Sequence, residues 1–189
     1  MRFVVGLGNP GARYRHTRHN AGYRVIDVLA ARGGGPPPVE EGGSLVAEAT
    51  LAGRAVLLVK PLSFMNAGGE AVARLLDRQA GNPADLVVVV DDAALELGRI
   101  RVRERGSHGG HNGLRSLIEV LGTEDFCRVR VGIRKGELPA ELAGFVLSDF
   151  PPEEVLVAEE AFGRAADAVV CLLGEGPAET MNRFNGPGL

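Results

Sequence analysis

With 189 residues, 45% of them hydrophobic and 24% charged, the chain has the make-up of one soluble globular domain, long enough to bury a core of its own. A formal charge of −3 excludes a globally basic nucleic-acid binder, so any nucleic-acid contact must rest on a local patch. The longest apolar runs, "LVVVV" (86–90) and "AVVCLL" (168–173), are core-sized and far short of the roughly 20 residues of a membrane span.

Residues 2–7 read as a buried strand. The apolar run there is too short for a signal peptide, which makes the cytoplasm the expected location. "NAGYRVIDVLAAR" (20–32) reads as a helix with Val25, Val28 and Leu29 on one face. "GGGPPPVEEGG" (33–43) reads as a flexible surface loop, since it can be neither helix nor central strand. Residues 44–61 read as two strands around a turn at Ala52-Gly53, and 66–79 as a helix with Asn66 near its start.

"DLVVVVDD" (85–92) has the continuous apolar run of a strand buried on both faces. Residues 98–106 alternate, placing Arg99, Arg101, Arg103 and Arg105 on one side of a half-exposed strand. A glycine-rich loop (106–113), a helix (114–122) and a strand (127–133) follow. A long amphipathic helix (152–176) has acids at its start, and a short helix (178–184) closes the chain. Strands and helices interleave, which predicts an α/β fold with a twisted, mixed, mostly parallel sheet. Cys127 and Cys171 form no CxxC pair and read as reduced, buried thiols.

The first strand runs into Gly6-x-Gly8-x-x-Gly11, the spacing of a dinucleotide-binding turn. That motif also requires a helix opening within the turn and an acid after a second strand about 20 residues on. Here Pro10 and the run "ARYRHTRH" delay the helix to about residue 18–20, and Asp27 falls inside it. The glycines therefore read as a sharp backbone turn that presents Asn9, with His19-Asn20 ten residues later.

Polar side chains collect where strands end, which is where open α/β sheets place their sites. They are Asn9, the stretch "SFMN" (63–66), Asp91-Asp92 and His111-Asn112. His19 stands at a helix start, where the dipole favours a neutral ring able to accept a proton. A carboxylate such as Asp91 on its other nitrogen would fix the tautomer. The bland alternative is a histidine that merely caps a helix. Phe64 and Met65 can equally be core, and the arginine stripe a solvated strand face. No G-x-S-x-G elbow is present, so a hydrolase built here would use water as nucleophile. The pairs His16/His19 and His108/His111 raise the question of a metal, but both lie in loops where that spacing fixes no common face.

At these residues the chain resembles a known family. "GLGNPGARYRHTRHNAG" (6–22), "KPLSFMNAGG" (60–69), "VVDD" (89–92), "GSHGGHNGLRS" (106–116) and "FCRVRVGIRK" (126–135) look like the successive signatures of bacterial-type peptidyl-tRNA hydrolase. "MNRFN" (181–185) resembles that family's C-terminal helix. The likeness implies one domain over residues 1–189. It also implies metal-independent hydrolysis, by a monomer, of the ester between a peptide and the 3′ end of its tRNA, with no cofactor and no protein partner required. By the same resemblance His19 is the catalytic base, Asp91 its supporting acid, and Asn9 the residue that separates N-blocked from free aminoacyl substrates. Tyr14, Phe64, Met65, Asn66, Asn112 and His111 would meet the tRNA end or the peptide backbone. Arg130, Arg103, Arg105 and Lys135 would face the acceptor stem.

The chain departs from the family pattern at several points. Ala94 stands where a further Asp is usual, Gly68 where Ser is usual, and His108 where a small residue is usual; segment 135–144 is short. An RNA-binding relative that has kept the groove and lost turnover is the competing expectation.

Overall fold

A computed structural model describes residues 2–138 and 140–186. Seven strands form one sheet in the order β2-β3-β4-β1-β5-β7-β6. The strands are β1 (Arg2–Gly6), β2 (Val39–Glu41), β3 (Ser44–Leu51), β4 (Arg54–Pro61), β5 (Leu86–Glu96), β6 (Ile100–Arg103) and β7 (Cys127–Arg134). β4, β1, β5 and β7 run parallel, while β2, β3 and β6 are antiparallel additions at the two edges. The mixed, mostly parallel sheet read from the sequence is the one observed.

Side chains alternate across β1 and β5 because strand periodicity is two. Val4, Val87 and Val89 face one core with Ala21, Val25 and Leu29 of α1 (Ala21–Gly33) and Ala165 and Val169 of α5 (Pro152–Glu175). Phe3, Val5, Val88 and Val90 face the other core. There they meet Leu75 and Leu76 of α2 (Gly68–Arg78) and Leu114 and Leu117 of α3 (Asn112–Leu121). Covering both faces is what permits an uninterrupted "VVVV", and each such side chain contributes about 1.5–3 kcal/mol. α5 opens on Pro152 with Glu153 and Glu154 in its first turn, and ends at Gly176, whose φ is 88°. α6 (Pro177–Phe184) packs against β6 and the end of α5.

Two elements were not legible in the sequence. Within 33–43, residues 39–41 form β2, a short edge strand on β3, because an edge needs only one partner and tolerates flanking Gly and Pro. Residues 142–146 form α4 (Leu142–Val146), capped by Glu141, whose side chain accepts from Gly144 N at 2.7 Å. β5 also continues past the expected end at Asp92 to Glu96, with an irregularity between the two. A polar "DDAALE" carries no buried-strand signal, yet it pairs at the sheet's upper rim.

Candidate active site

The carboxyl ends of β1, β4 and β5 meet the N-terminal turns of α1 and α3, and glycine makes that meeting possible. A Cβ on Gly22 would lie 2.5 Å from the carbonyl oxygens of Leu7 and Val89. One on Gly6 would lie 2.3 Å from the carbonyl oxygen of Gly22. The start of α1 therefore touches the strand backbones directly. Gly11 has no such neighbour; it is needed for its φ of +100°. Of the motif, Gly6 thus serves helix–strand approach, which the sequence reading did not anticipate, while Gly11 serves the expected backbone turn.

Between β1 and α1 the chain forms two short 3-10 turns, Ala12–Tyr14 and Arg18–Asn20, and the helix begins at Ala21. The second turn carries His19 inward, 9% exposed, beside Asp91 near the end of the core run of β5. His19 Nδ1 lies 2.8 Å from Asp91 Oδ1. His111 Nε2 lies 3.0 Å from the same oxygen. His111 Nδ1 accepts from Leu114 N at 3.2 Å as the cap of α3. That contact leaves Nε2 as the protonated nitrogen of His111, donating to Asp91. With Nδ1–H of His19 donating to the same carboxylate, His19 Nε2 is the nitrogen left to accept a proton.

Burial opposes a charge on His19, but the Asp91 carboxylate outweighs it through charge and hydrogen bond, and the pKa is raised above 6.5. Asp91 is buried, which alone would raise its pKa. The two imidazoles override this and hold it well below the usual carboxylate range.

Asn9 is held from both sides. Its backbone N donates to Asn20 Oδ1 at 2.8 Å, and its backbone O accepts from Asn20 Nδ2 at 3.0 Å. Its side-chain Oδ1 accepts from Met65 N at 2.8 Å, so Nδ2 is the end available to a ligand. Met65 is buried: a Cβ on Gly113 would lie 2.6 Å from its sulfur and 3.1 Å from His111 Cε1. The 3-10 turn Met65–Ala67 packs on α3, and the exposed Asn66 and Asn112 stand on these two elements. Phe64 is 59% exposed, with Tyr14 edge-on at 6.3 Å between ring centroids.

The basic residues divide. Arg130 Nε lies 3.2 Å from Asp92 Oδ2, and its Nη2 donates to His108 O at 3.4 Å, so it ties the glycine loop to β5. Arg103, Arg105 and Lys135 are exposed. β6 runs antiparallel to β7, so Arg103 lies level with Arg128, toward the amino ends of the parallel strands; Lys135 follows β7 at the end nearer His19. Arg105 lines a cleft of about 820 Å³, which lies at those amino ends, opposite His19. That cleft sets Arg2, Arg54 and Arg105 against Glu104, Asp125 and Glu175 and contains no imidazole. A smaller cleft of about 620 Å³ opens beside Asn9 and Asn20.

One histidine of each H-x-x-H pair joins the site. His16 is exposed, and His108 Nδ1 accepts from Gly110 N in its own loop. Ligand atoms of His19, Asp91 and His111 lie within 4.8 Å of one another. Those same atoms already satisfy each other by N–H···O bonds, so a cation would have to displace the protons that define both tautomers. Nothing in the local sequence marks Asn20 as the holder of Asn9, or sets Arg18 apart from the other cations of "ARYRHTRH". Arg18 is in fact 5% exposed.

A buried imidazole–carboxylate pair at the carboxyl rim of a mixed α/β sheet is an arrangement able to do general acid–base chemistry, the class of site expected of an α/β enzyme. Comparison with known proteins gives the particular family: the sequence model of Peptidyl-tRNA hydrolase matches residues 3–188. A Peptidyl-tRNA hydrolase of Desulforudis audaxviator is 48% identical over 185 residues, covering 98% of this chain and 93% of the relative. One of Brevibacillus brevis is 44% identical, covering 98% of each. The crystal structure of peptidyl-tRNA hydrolase from Acinetobacter baumannii superposes with a TM-score of 0.90 at 30% identity, over 100% of this chain and 96% of that one. The chain belongs to the peptidyl-tRNA hydrolase family.

Proposed function

We propose that this chain hydrolyses the ester between a peptide and the terminal ribose of its tRNA, with His19 as general base. The observation that carries the reading is the 2.8 Å contact between His19 Nδ1 and Asp91 Oδ1, which leaves Nε2 as a proton acceptor. A water on Nε2 gives up its proton as its oxygen attacks the ester carbonyl carbon. The resulting imidazolium is stabilised by Asp91, as the raised pKa of His19 expresses. Collapse of the tetrahedral species breaks the bond to the ribose oxygen, which takes the proton back from His19. The products are a peptide acid and a tRNA with a free hydroxyl.

Nδ2 of Asn9 and the amides of Asn66 and Asn112 donate to the oxyanion and to peptide carbonyls. Such donors hold backbone without reading side chains, which suits substrates of any sequence. Phe64 and Tyr14 offer faces on which unpaired 3′ bases stack. Arg103, Arg105 and Lys135 meet stem phosphates, while Arg130 acts through the glycine loop. The unit works as a monomer in the cytoplasm and needs neither a metal nor a protein partner.

The test is release of the acyl amino acid from N-acetyl-aminoacyl-tRNA in EDTA, beside His19→Ala and the unblocked aminoacyl-tRNA. Release lost in the variant by about 10³-fold, and absent for the unblocked substrate, is expected. No release, with salt-sensitive tRNA binding retained, would instead make the chain an RNA-binding relative.

A further inference from the structure

Arg18 belongs to the turn that carries His19, but its side chain points away from the site and into the protein. Its Nη1 donates to the carbonyl of Ile133 on β7 at 2.8 Å and to Glu154 Oε2 in the first turn of α5 at 2.7 Å. Its guanidinium carbon lies over two aromatic rings, 4.6 Å from the centroid of Phe145 and 4.7 Å from that of Phe150. Both aromatics come from the segment containing α4. That segment also accepts the backbone N–H of Arg18 at Ser148 O, 3.0 Å away, and Thr17 bridges to Asp149 in antiparallel pairing.

The ion pair is nearly dry, with side-chain exposures of 6% for Arg18 and 10% for Glu154. Arg18 Nε is buried with no partner among the described residues. A buried charge left with one donor idle is a poor device for stability alone, since an apolar residue of similar volume would fill the space without that cost. What the arrangement supplies is direction. A planar fork fixed at one end by a carbonyl and a carboxylate, with two aromatic rings packed against it, leaves the turn Arg18–Asn20 little room to rotate.

We infer that Arg18 is a positioning residue that sets His19 against Asp91, and Asn20 against Asn9, by anchoring their turn to β7, α5 and the segment 142–150. The inference rests on His19 being the base, as proposed above. It makes His19 sensitive to the placement of residues more than a hundred positions away. A lysine at this site keeps the charge but loses the fork and the stacking plane.

The experiment compares wild type with Arg18→Lys, Phe145→Leu and the control Arg32→Ala, which breaks an exposed α1–α5 pair with Asp167 far from the turn. Each is assayed for kcat and KM on N-acetyl-aminoacyl-tRNA. Each is also examined by proton NMR for the downfield Nδ1–H resonance of His19 bonded to Asp91. Arg18→Lys is expected to remain folded and to lose about 30-fold or more in kcat, with KM changed less than about threefold and the resonance lost or exchange-broadened. Phe145→Leu falls between, and Arg32→Ala matches wild type. A folded Arg18→Lys with wild-type kcat and an intact resonance overturns the inference. If Arg18→Lys does not fold, Phe145→Leu decides by the same two readouts. A wild type that shows the resonance but releases no peptide overturns the proposed activity instead, and the resonance in the variants still decides the role of Arg18.

Discussion

The side chain of Asn20 grips both backbone polar groups of Asn9, accepting from its N–H at 2.8 Å and donating to its carbonyl at 3.0 Å. The two residues thereby form a closed pair across the whole 9–20 loop, and Asn20 is almost fully buried. Replacing Asn20 with Asp turns the donating Nδ2 into an acceptor facing the carbonyl of Asn9. Asn20→Asp is expected to destabilise the fold by about 2 kcal/mol and to lower kcat/KM by about tenfold or more. Urea denaturation and initial rates read the two effects separately.

The pH profile follows from the His19–Asp91 pair. The base must be neutral, so kcat/KM is expected to rise with pH through the pKa of His19, above 6.5. In Asp91→Asn the charge that raises that pKa is gone, any remaining hydrogen bond is to a neutral amide, and burial remains. The acid limb then moves below 6.5, and the plateau falls by about 100-fold. Stability moves with opposite signs at the two groups. The raised pKa of His19 contributes stability that is complete below 6.5 and is lost as pH rises through its folded value. The depressed pKa of Asp91 contributes stability present above about pH 4 and lost as pH falls toward its folded value. Urea midpoints measured across pH check both slopes.

Gly11 of the first loop and Gly22 in the first turn of α1 separate by what surrounds them. Gly22→Ala forces a methyl to 2.5 Å from two carbonyl oxygens, which only displacement of α1 can relieve. A loss of about 3 kcal/mol or more is expected. Gly11→Ala meets nothing within 4 Å and strains only a φ of +100°, for a loss of about 1–2 kcal/mol. Thermal denaturation of the pair tests this ranking, and equal losses would contradict it.

The arginines of the surface should separate in salt titrations. Arg103→Ala, Arg105→Ala and Lys135→Ala are each expected to reduce the slope of log K against log salt for tRNA binding by about 0.7–0.9, with stability within about 0.5 kcal/mol of wild type. Arg128, stacked on Phe126 and bonded to Gly106 O and Glu124 O, is only 1% exposed. Arg128→Ala is expected to destabilise the fold by about 2 kcal/mol or more and to leave the salt slope unchanged.

The sheet was legible because its signals are local. A run of valines, an alternating edge and glycine-bounded helices each state their own environment. The imidazole–carboxylate pair was legible at His19 and Asp91 because strand ends and helix starts are where chemistry collects. The partnership of His111 with Asp91 was less so, since its cap on Leu114 and its bond to β5 depend on how α3 docks. β2 and α4 carry too few residues for periodicity to register. In sequence, Arg18 is one of several cations in the run "ARYRHTRH" and nothing local sets it apart. Only the approach of Phe145, Phe150 and Glu154, set by the tertiary fold, distinguishes it.

The separation of Arg18 from its side-chain partners also sets an order of assembly. Ile133 lies 115 residues downstream and Glu154 lies 136. Synthesis proceeds from the N-terminus, so Asn9, His19 and Asp91 all leave the ribosome well before anything that holds their turn from behind. A nascent chain ending short of β7 carries the reactive imidazole and its carboxylate but none of the groups that grip the guanidinium of Arg18. Through that interval the growing polypeptide is itself an ester of tRNA. The groups that complete the clamp come from Ile133 onward, so the clamp closes only after Asn9, His19 and Asp91 have all been made.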